Sequence, residues 1–400
     1  MMNIHPGNSA ALEEKGDELK TTRSSAISAN VPIRLCRSIR KGMSMNQRSI
    51  QQIIGISLIT FLLTGCSTPA DTAGSSTSTV GPLNIAKLKT IQSPGKETAA
   101  IALSPDGKIL ACGSYGDDSL YLIDVSTGSV AMTLKGHTAP VSSLAFSPAG
   151  ALLASTGTVN LPPKRDGSVR IWDVKTGKEL AVFKTTGTSQ LTFSPDSATL
   201  AGAGGGDPLQ VILWDAGSGS EKRIIKGVFS YAAFSPDGNL LASGSRDDQV
   251  HVIKTATGEE AMKLAGHGGW IKAAAFSPKG GLLASGSEDM NIHLWDTANG
   301  NKLQSLTGHK SEIGFLAFSA DGNVLASLGS GTNVTREGGR ISISVGPKDK
   351  SLRFWDVKTG KEIALIEVPD GISEVSFNSD WTLMATSSGK DFIQLWSVKR

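Results

Sequence analysis

From Leu83 onward the chain runs in short stretches that alternate apolar and polar positions with a period of two, each bounded by turn residues. Residues 271–306 show the unit: "IKAAAF" reads as a strand, Ser-Pro-Lys-Gly as a tight turn and "LLASGS" as a second strand. After an Asp-containing turn, "NIHLWD" is a third strand, "TANGN" a turn and "KLQSL" a fourth. Period-two alternation closed by Gly, Pro, Asn and Asp predicts four short antiparallel strands, and no helical periodicity competes with it.

The unit repeats. "FSPDGNLLASGS" (234–245), "FSPKGGLLASGS" (276–287) and "FSADGNVLASLG" (318–329) are close copies, with looser ones starting at Leu103, Phe146, Phe193 and Phe377. Each of the seven is followed by a second motif: "LYLID", "VRIWD", "VILWD", "VHVIK", "IHLWD", "LRFWD" or "IQLWS". The starts lie 43, 47, 41, 42, 42 and 59 residues apart, so two units carry insertions, 156–167 and 329–350, both between second and third strands. In the longer one "NVTR" and "RISIS" flank Glu337-Gly338-Gly339 and predict a projecting hairpin. Four strands every 40–45 residues are the signature of a β-propeller blade, which cannot cover both of its faces alone and must stack in a closed ring.

Gly-His stands at 136–137, 266–267 and 308–309, and Trp-Asp at 172–173, 214–215, 295–296 and 355–356. With these motifs in register, residues 83–400 resemble the WD-repeat (tryptophan–aspartate) β-propeller family. The resemblance implies an all-β, seven-bladed β-propeller. It also implies hydrogen-bonded sets joining the Gly-His histidine, a strand Ser, a turn Asp and the Trp. Three blades have all four members: His137, Ser155, Asp166, Trp172; His267, Ser285, Asp289, Trp295; and His309, Ser327, Asp349, Trp355. Elsewhere Asp117 and Asp247 remain, but Ile123 and Ile253 replace the Trp and Cys112 takes a Ser place, so those blades are expected to be less tightly tied.

The same comparison bears on "SGSEDMNIHLWD" (285–296), where Ser285, Asp289 and His293 follow the chain order of a hydrolase triad. Because the stretch is one of seven copies, it is expected to be structural. The last repeat stops at its third strand, while "NIAKLKTIQS" before the first resembles a fourth strand. Residues 85–92 are therefore expected to complete the C-terminal blade, leaving no open edge where the ring closes.

Ahead of the propeller, an apolar run of eleven residues, Ile53–Leu63, follows a lightly basic stretch and ends at "LTGC", 63–66. At ~20 residues per bilayer span the run is too short for a transmembrane helix and fits a signal-peptide core. "LTGC" resembles the bacterial lipobox, which implies that Cys66 is acylated and becomes the mature N-terminus. The reading is then residues 1–42 as a disordered leader or mis-assigned start, 43–65 as a lipoprotein signal peptide and 66–82 as a polar tether. The destination is the cell envelope, and the periplasmic side of the outer membrane where the host has one.

Removing residues 1–65 leaves 31 Lys+Arg against 32 Asp+Glu, which gives no electrostatic footprint for nucleic acid. Cys112 is then alone in an apolar strand and is expected to be inert. "GAGGGDP" (202–208) falls between strands rather than opening a helix, so it is not a phosphate loop. No HExxH, CxxC, EF-hand loop or nucleophile elbow occurs, and neither a catalytic residue, a metal site nor a cofactor is expected.

A non-catalytic protein–protein interaction scaffold is the first reading, working as a monomeric propeller with membrane contact through its lipid. Alternatives are an exported enzyme or small-molecule binder using the central channel, or, by analogy, an outer-membrane protein assembly factor. The channel reading is opposed by first strands nearly bare of titratable residues. The resemblance places the loops that join fourth to first and second to third strands on one face, the top. There Trp270, Lys272, Arg246 and Glu288, with Arg165 and Lys348 from the insertions, form the expected partner-binding surface. Trp381, standing at a turn-Gly position on the opposite face, is a rival.

Overall fold

The computed structural model describes residues 83–95, 97–157, 166–185, 187–205, 209–227, 229–330, 333–337, 340–344, 349–368 and 370–400. The leader, Cys66, the tether, Arg165 and Lys348 lie outside the described residues.

The strands form seven four-stranded antiparallel sheets, with no helix among the described residues. Blade 5 is typical: Ile271–Phe276, Leu282–Ser287, Ile292–Asp296 and Lys302–Leu306, paired in sequence order. First strands of neighbouring blades adjoin around the axis. The result is a seven-bladed β-propeller. Asn84–Gln92 pairs antiparallel with Phe392–Lys399 and supplies the outer strand of blade 7, so both ends of the ring lie in one sheet. The hairpin predicted in the longer insertion forms between Asn333–Glu337 and Arg340–Ser344.

The Ser-Pro-Asp-Gly turns explain themselves. In the first copy the Ser104 hydroxyl donates to Asp106 Oδ1 at 2.7 Å, the Ile109 amide donates back to Ser104 Oγ, and Gly107 takes φ 71°. That left-handed conformation is open to Gly and costly for other residues. Trp381 sits at the same point in blade 7 with φ 61°. Its ring stacks on Phe377 at 4.2 Å and meets Phe354 edge-on at 6.5 Å, so it belongs to the packing between blades 6 and 7. The ring remains partly exposed, so this packing holds it without closing it off from solvent.

Seven apolar clusters fill the seven interfaces between blades. In each, the Trp of one blade, or the Ile that replaces it, packs on the sheet before it. Trp295 lies among Val250, Val252 and Leu264, and Ile123 among Ile393, Ala385 and Leu395. A buried aromatic removes ~200 Å² from water, worth roughly 5 kcal/mol at ~25 cal/mol per Å². The smaller Ile at 123 and 253 keeps the interface apolar but has no indole N–H to satisfy.

Candidate functional site

The three complete sets assemble as hydrogen-bonded relays. In blade 5, His267 Nδ1 lies 2.9 Å from Asp289 Oδ2, His267 Nε2 lies 2.7 Å from Ser285 Oγ, and Trp295 Nε1 donates to the same oxygen at 2.7 Å. Blade 2 repeats this at 2.7, 2.8 and 2.8 Å, and blade 6 at 3.1, 2.7 and 2.8 Å. The Asp–His–Ser connectivity is that of a hydrolase triad, but the surroundings are not. Ser155, Ser285 and Ser327 are all 0% exposed, and each Oγ is covered by an indole donor. A nucleophile needs an open approach and an oxyanion site beside it. These serines have no open approach, and the sets serve to satisfy buried polar atoms.

His293, the third member of the apparent triad, makes no bond to Asp289. Its ring lies parallel to that of His267 at 3.9 Å and 12°, and its Nε2 meets the Gly266 carbonyl at 3.0 Å. Ligand atoms of His267, Asp289 and His293 gather within 4.8 Å of one another. Two parallel imidazoles stacked face to face direct their in-plane lone pairs along separate planes, so they do not converge on one ion at the ~2 Å a ligand bond requires.

Burial alone would raise the carboxyls of Asp166, Asp289 and Asp349. The His bond overrides it, joined by a Ser hydroxyl and backbone amides at Asp166 and Asp349 and by backbone amides alone at Asp289: Asp289 falls to about 2, and the other two lie well below the usual carboxylate range. A depressed folded-state pKa gives stability that is present above the unfolded value of ~3.9 and lost as pH falls through the folded one. The melting temperature should therefore decline steeply from about pH 4 towards pH 2. Asp289→Asn should flatten part of that decline; an unchanged slope would assign it to other carboxylates.

Blades 1 and 4, expected to be looser, have a substitute that the repeat pattern did not show. The residue two before the Trp site reaches back to the turn Asp. Tyr121 donates its hydroxyl to Asp117 at 2.6 Å, and His251 lies 3.0 Å from Asp247 and 2.6 Å from Glu260. The turn Asp is thus held even where the Gly-His histidine is missing. Cys112 is free and fully buried, and burial pushes its thiol up to about 11, which leaves little thiolate to react.

The top-face residues of blades 4 and 5 come together. Trp270 is half-buried, with the Arg246 guanidinium 4.8 Å from its ring centroid and Lys272 Nζ at 5.7 Å. Both are within cation–π range. Lys272 also pairs with Glu288 at 3.1 Å and Glu312 at 3.9 Å. Glu288 is only 5% exposed, so it lies beneath the surface and fixes Lys272 instead of facing a partner. Sequence reasoning missed Glu312, which lies just before the first strand of blade 6.

It also missed Glu374, the opening residue of blade 7's first strand, one position outside the "VSF" run that marks that strand. Burial pushes its carboxyl up to about 8, and its charge adds to the desolvation that raises Tyr115 across the blade 7–blade 1 junction. The innermost strands therefore carry a titratable group, though they remain mostly apolar.

The described domain is a seven-bladed propeller knit by buried His–Asp–Ser–Trp sets. The family described as "WD40: WD domain, G-beta repeat" matches residues 128–173, 222–254, 258–296 and 300–356, which supports a WD-repeat propeller. Among similar proteins, the Periodic tryptophan protein 2 homolog of Schizosaccharomyces pombe is 31% identical over 148 residues, 35% of this chain and 16% of that protein. Nuclear distribution protein PAC1 of Arthroderma benhamiae is 32% identical over 199 residues, 42% of each chain. An uncharacterized WD repeat-containing protein of Synechocystis is 28% identical over 199 residues, 46% of this chain and 54% of that one. The matched part thus spans less than half the length of the first two relatives.

Proposed function

We propose that this chain is a non-catalytic protein-interaction scaffold, held at the cell envelope by a lipid on Cys66 and docking partner proteins on its top face around Trp270. WD-repeat propellers generally bind other proteins. The observation that carries the docking site is the Trp270 ring set between two cations, Arg246 at 4.8 Å and Lys272 at 5.7 Å, with part of its surface left open. Interface hot spots are rich in Trp and Arg, because a large rigid ring and a planar cation gain contact area at low entropic cost. Ion pairing to buried Glu288 holds Lys272 in position, so the surface is preorganised. The anchor rests on the Ile53–Leu63 run and the "LTGC" that follows it.

Co-purification after mild crosslinking, with and without Trp270→Ala, tests the docking site. Loss of the ring should weaken capture of a native partner by about 2 kcal/mol or more, roughly 30-fold, with little change in melting temperature. Unaltered capture, or a loss matched by unfolding, would leave Trp270 as packing alone.

A further inference from the structure

Blade 7 has the frame of a complete set without its histidine. In the three complete sets the His stands eighteen residues before the Ser; in blade 7 the Ser place is taken by Thr386 and the His place by Val368. Trp396 Nε1 still donates to Thr386 Oγ1 at 2.9 Å, as the other indoles do to their serines. At the turn position, Lys390 replaces the Asp and pairs with Asp370. Gln394 stands two before Trp396, where His293 stands before Trp295 and stacks on the ring of His267.

Beside Val368 and Thr386, the places that blades 2, 5 and 6 give to His and Ser, blade 7 has a cavity of about 230 Å³ lined also by Ser387 and Gln394, with Lys87 and Thr90 of the outer strand and exposed Asp370 and Phe392 around it. Two of its polar atoms are unmatched. Among the described residues, Ser387 Oγ and Gln394 Oε1 are buried with no hydrogen-bond partner, and Ser387 as a whole is 3% exposed. Thr386 accepts the indole but has no imidazole nitrogen to receive its own proton. Buried polar groups without partners cost stability, so the pocket favours a guest that supplies both an acceptor and a donor. We propose that this cavity is a binding site for an imidazole ring. One ring nitrogen accepts the Thr386 hydroxyl hydrogen, and the other donates its N–H to Gln394 Oε1, the buried acceptor without a partner. A ring in that position restores the bonding pattern that blades 2, 5 and 6 build from their own histidines.

Isothermal titration of the purified propeller with imidazole should give saturable binding in the millimolar range, as about five heavy atoms permit. Val368→His places the ring from within: it should abolish that binding and raise the melting temperature. Gln394→Leu removes the acceptor and should weaken binding about tenfold, about one hydrogen bond's worth, which keeps the test open if the histidine variant folds poorly. A second titration uses acetyl-histidine amide. Tighter binding of that compound than of imidazole assigns the site to a histidine side chain on a docking protein; the reverse assigns it to a free small molecule. No saturation with either compound would mean that water alone fills the cavity, and equal binding to Gln394→Leu and wild type would place the ring elsewhere; either result would overturn the proposal.

Discussion

Replacing Asp349 with alanine should lower the unfolding free energy by about 3 kcal/mol, and more than the same change at Asp289, because the two carboxylates hold different numbers of buried donors. Asp349 is 8% exposed and accepts from His309 Nδ1, the Lys310 amide, and both the amide and hydroxyl of Ser351. Asp289, less deeply buried, accepts from His267 and the amides of Gly268 and Asn291, and the Gly268 amide is exposed enough for water to replace the bond. Orphaning a buried donor costs about 1–3 kcal/mol, whereas one that water can reach costs far less. Asp349 also closes the return of the longer insertion, since Ser311 Oγ donates to its backbone carbonyl at 2.8 Å. Urea melts of the two variants would show the ordering, which equal losses would refute. Esterase turnover should be absent from wild type and both variants; activity lost on Asp289→Ala would make the buried relay catalytic after all.

The seven blades and the closure by the N-terminal strand were legible because they depend on local chemistry. Period-two alternation, turn residues and a repeat near 42 residues each act within a few positions, and the ring follows from stacking what they form. The histidine sets were legible through register for the same reason. Side-chain substitution across the pattern was harder to read. Tyr121 and His251 occupy a position whose identity varies from blade to blade, and their reach to Asp117 and Asp247 needs three-dimensional pairing to be seen. The turn position of Trp381 points its ring towards water; its stacking on Phe377 depends on the first strand of its own blade. Glu288 has the charge of a surface residue, but it is buried and ion-paired to Lys272. Position in a repeat thus identifies the backbone environment, whereas partner choice is set by contacts that span blades.

If Cys66 carries the proposed lipid, Cys66→Ser should leave the protein soluble or unprocessed while the wild type fractionates with membranes, an all-or-none change. The eleven-residue apolar run before it is about half the ~20 residues a spanning helix needs, so the run cannot serve as a permanent anchor. It can direct export and then be removed, which leaves attachment to whatever is joined to Cys66. A single acyl chain binds membranes only marginally, whereas two or more hold stably, so multiple acylation predicts release by detergent and not by high salt. The polar segment "STPADTAGSSTSTVGP" that follows has no core-forming residues and fits a spacer between lipid and propeller. Ser67, next after the Cys, resembles the signal that sends a lipoprotein onward to an outer membrane, where an Asp would retain it; Ser67→Asp should therefore shift the protein to the inner membrane in a host with two. Metabolic labelling with a fatty acid gives the decisive readout: label on wild type and none on Cys66→Ser. Label retained by the serine variant, or wild-type protein washed free by salt, would place the attachment elsewhere and return the Ile53–Leu63 run to an ordinary export signal.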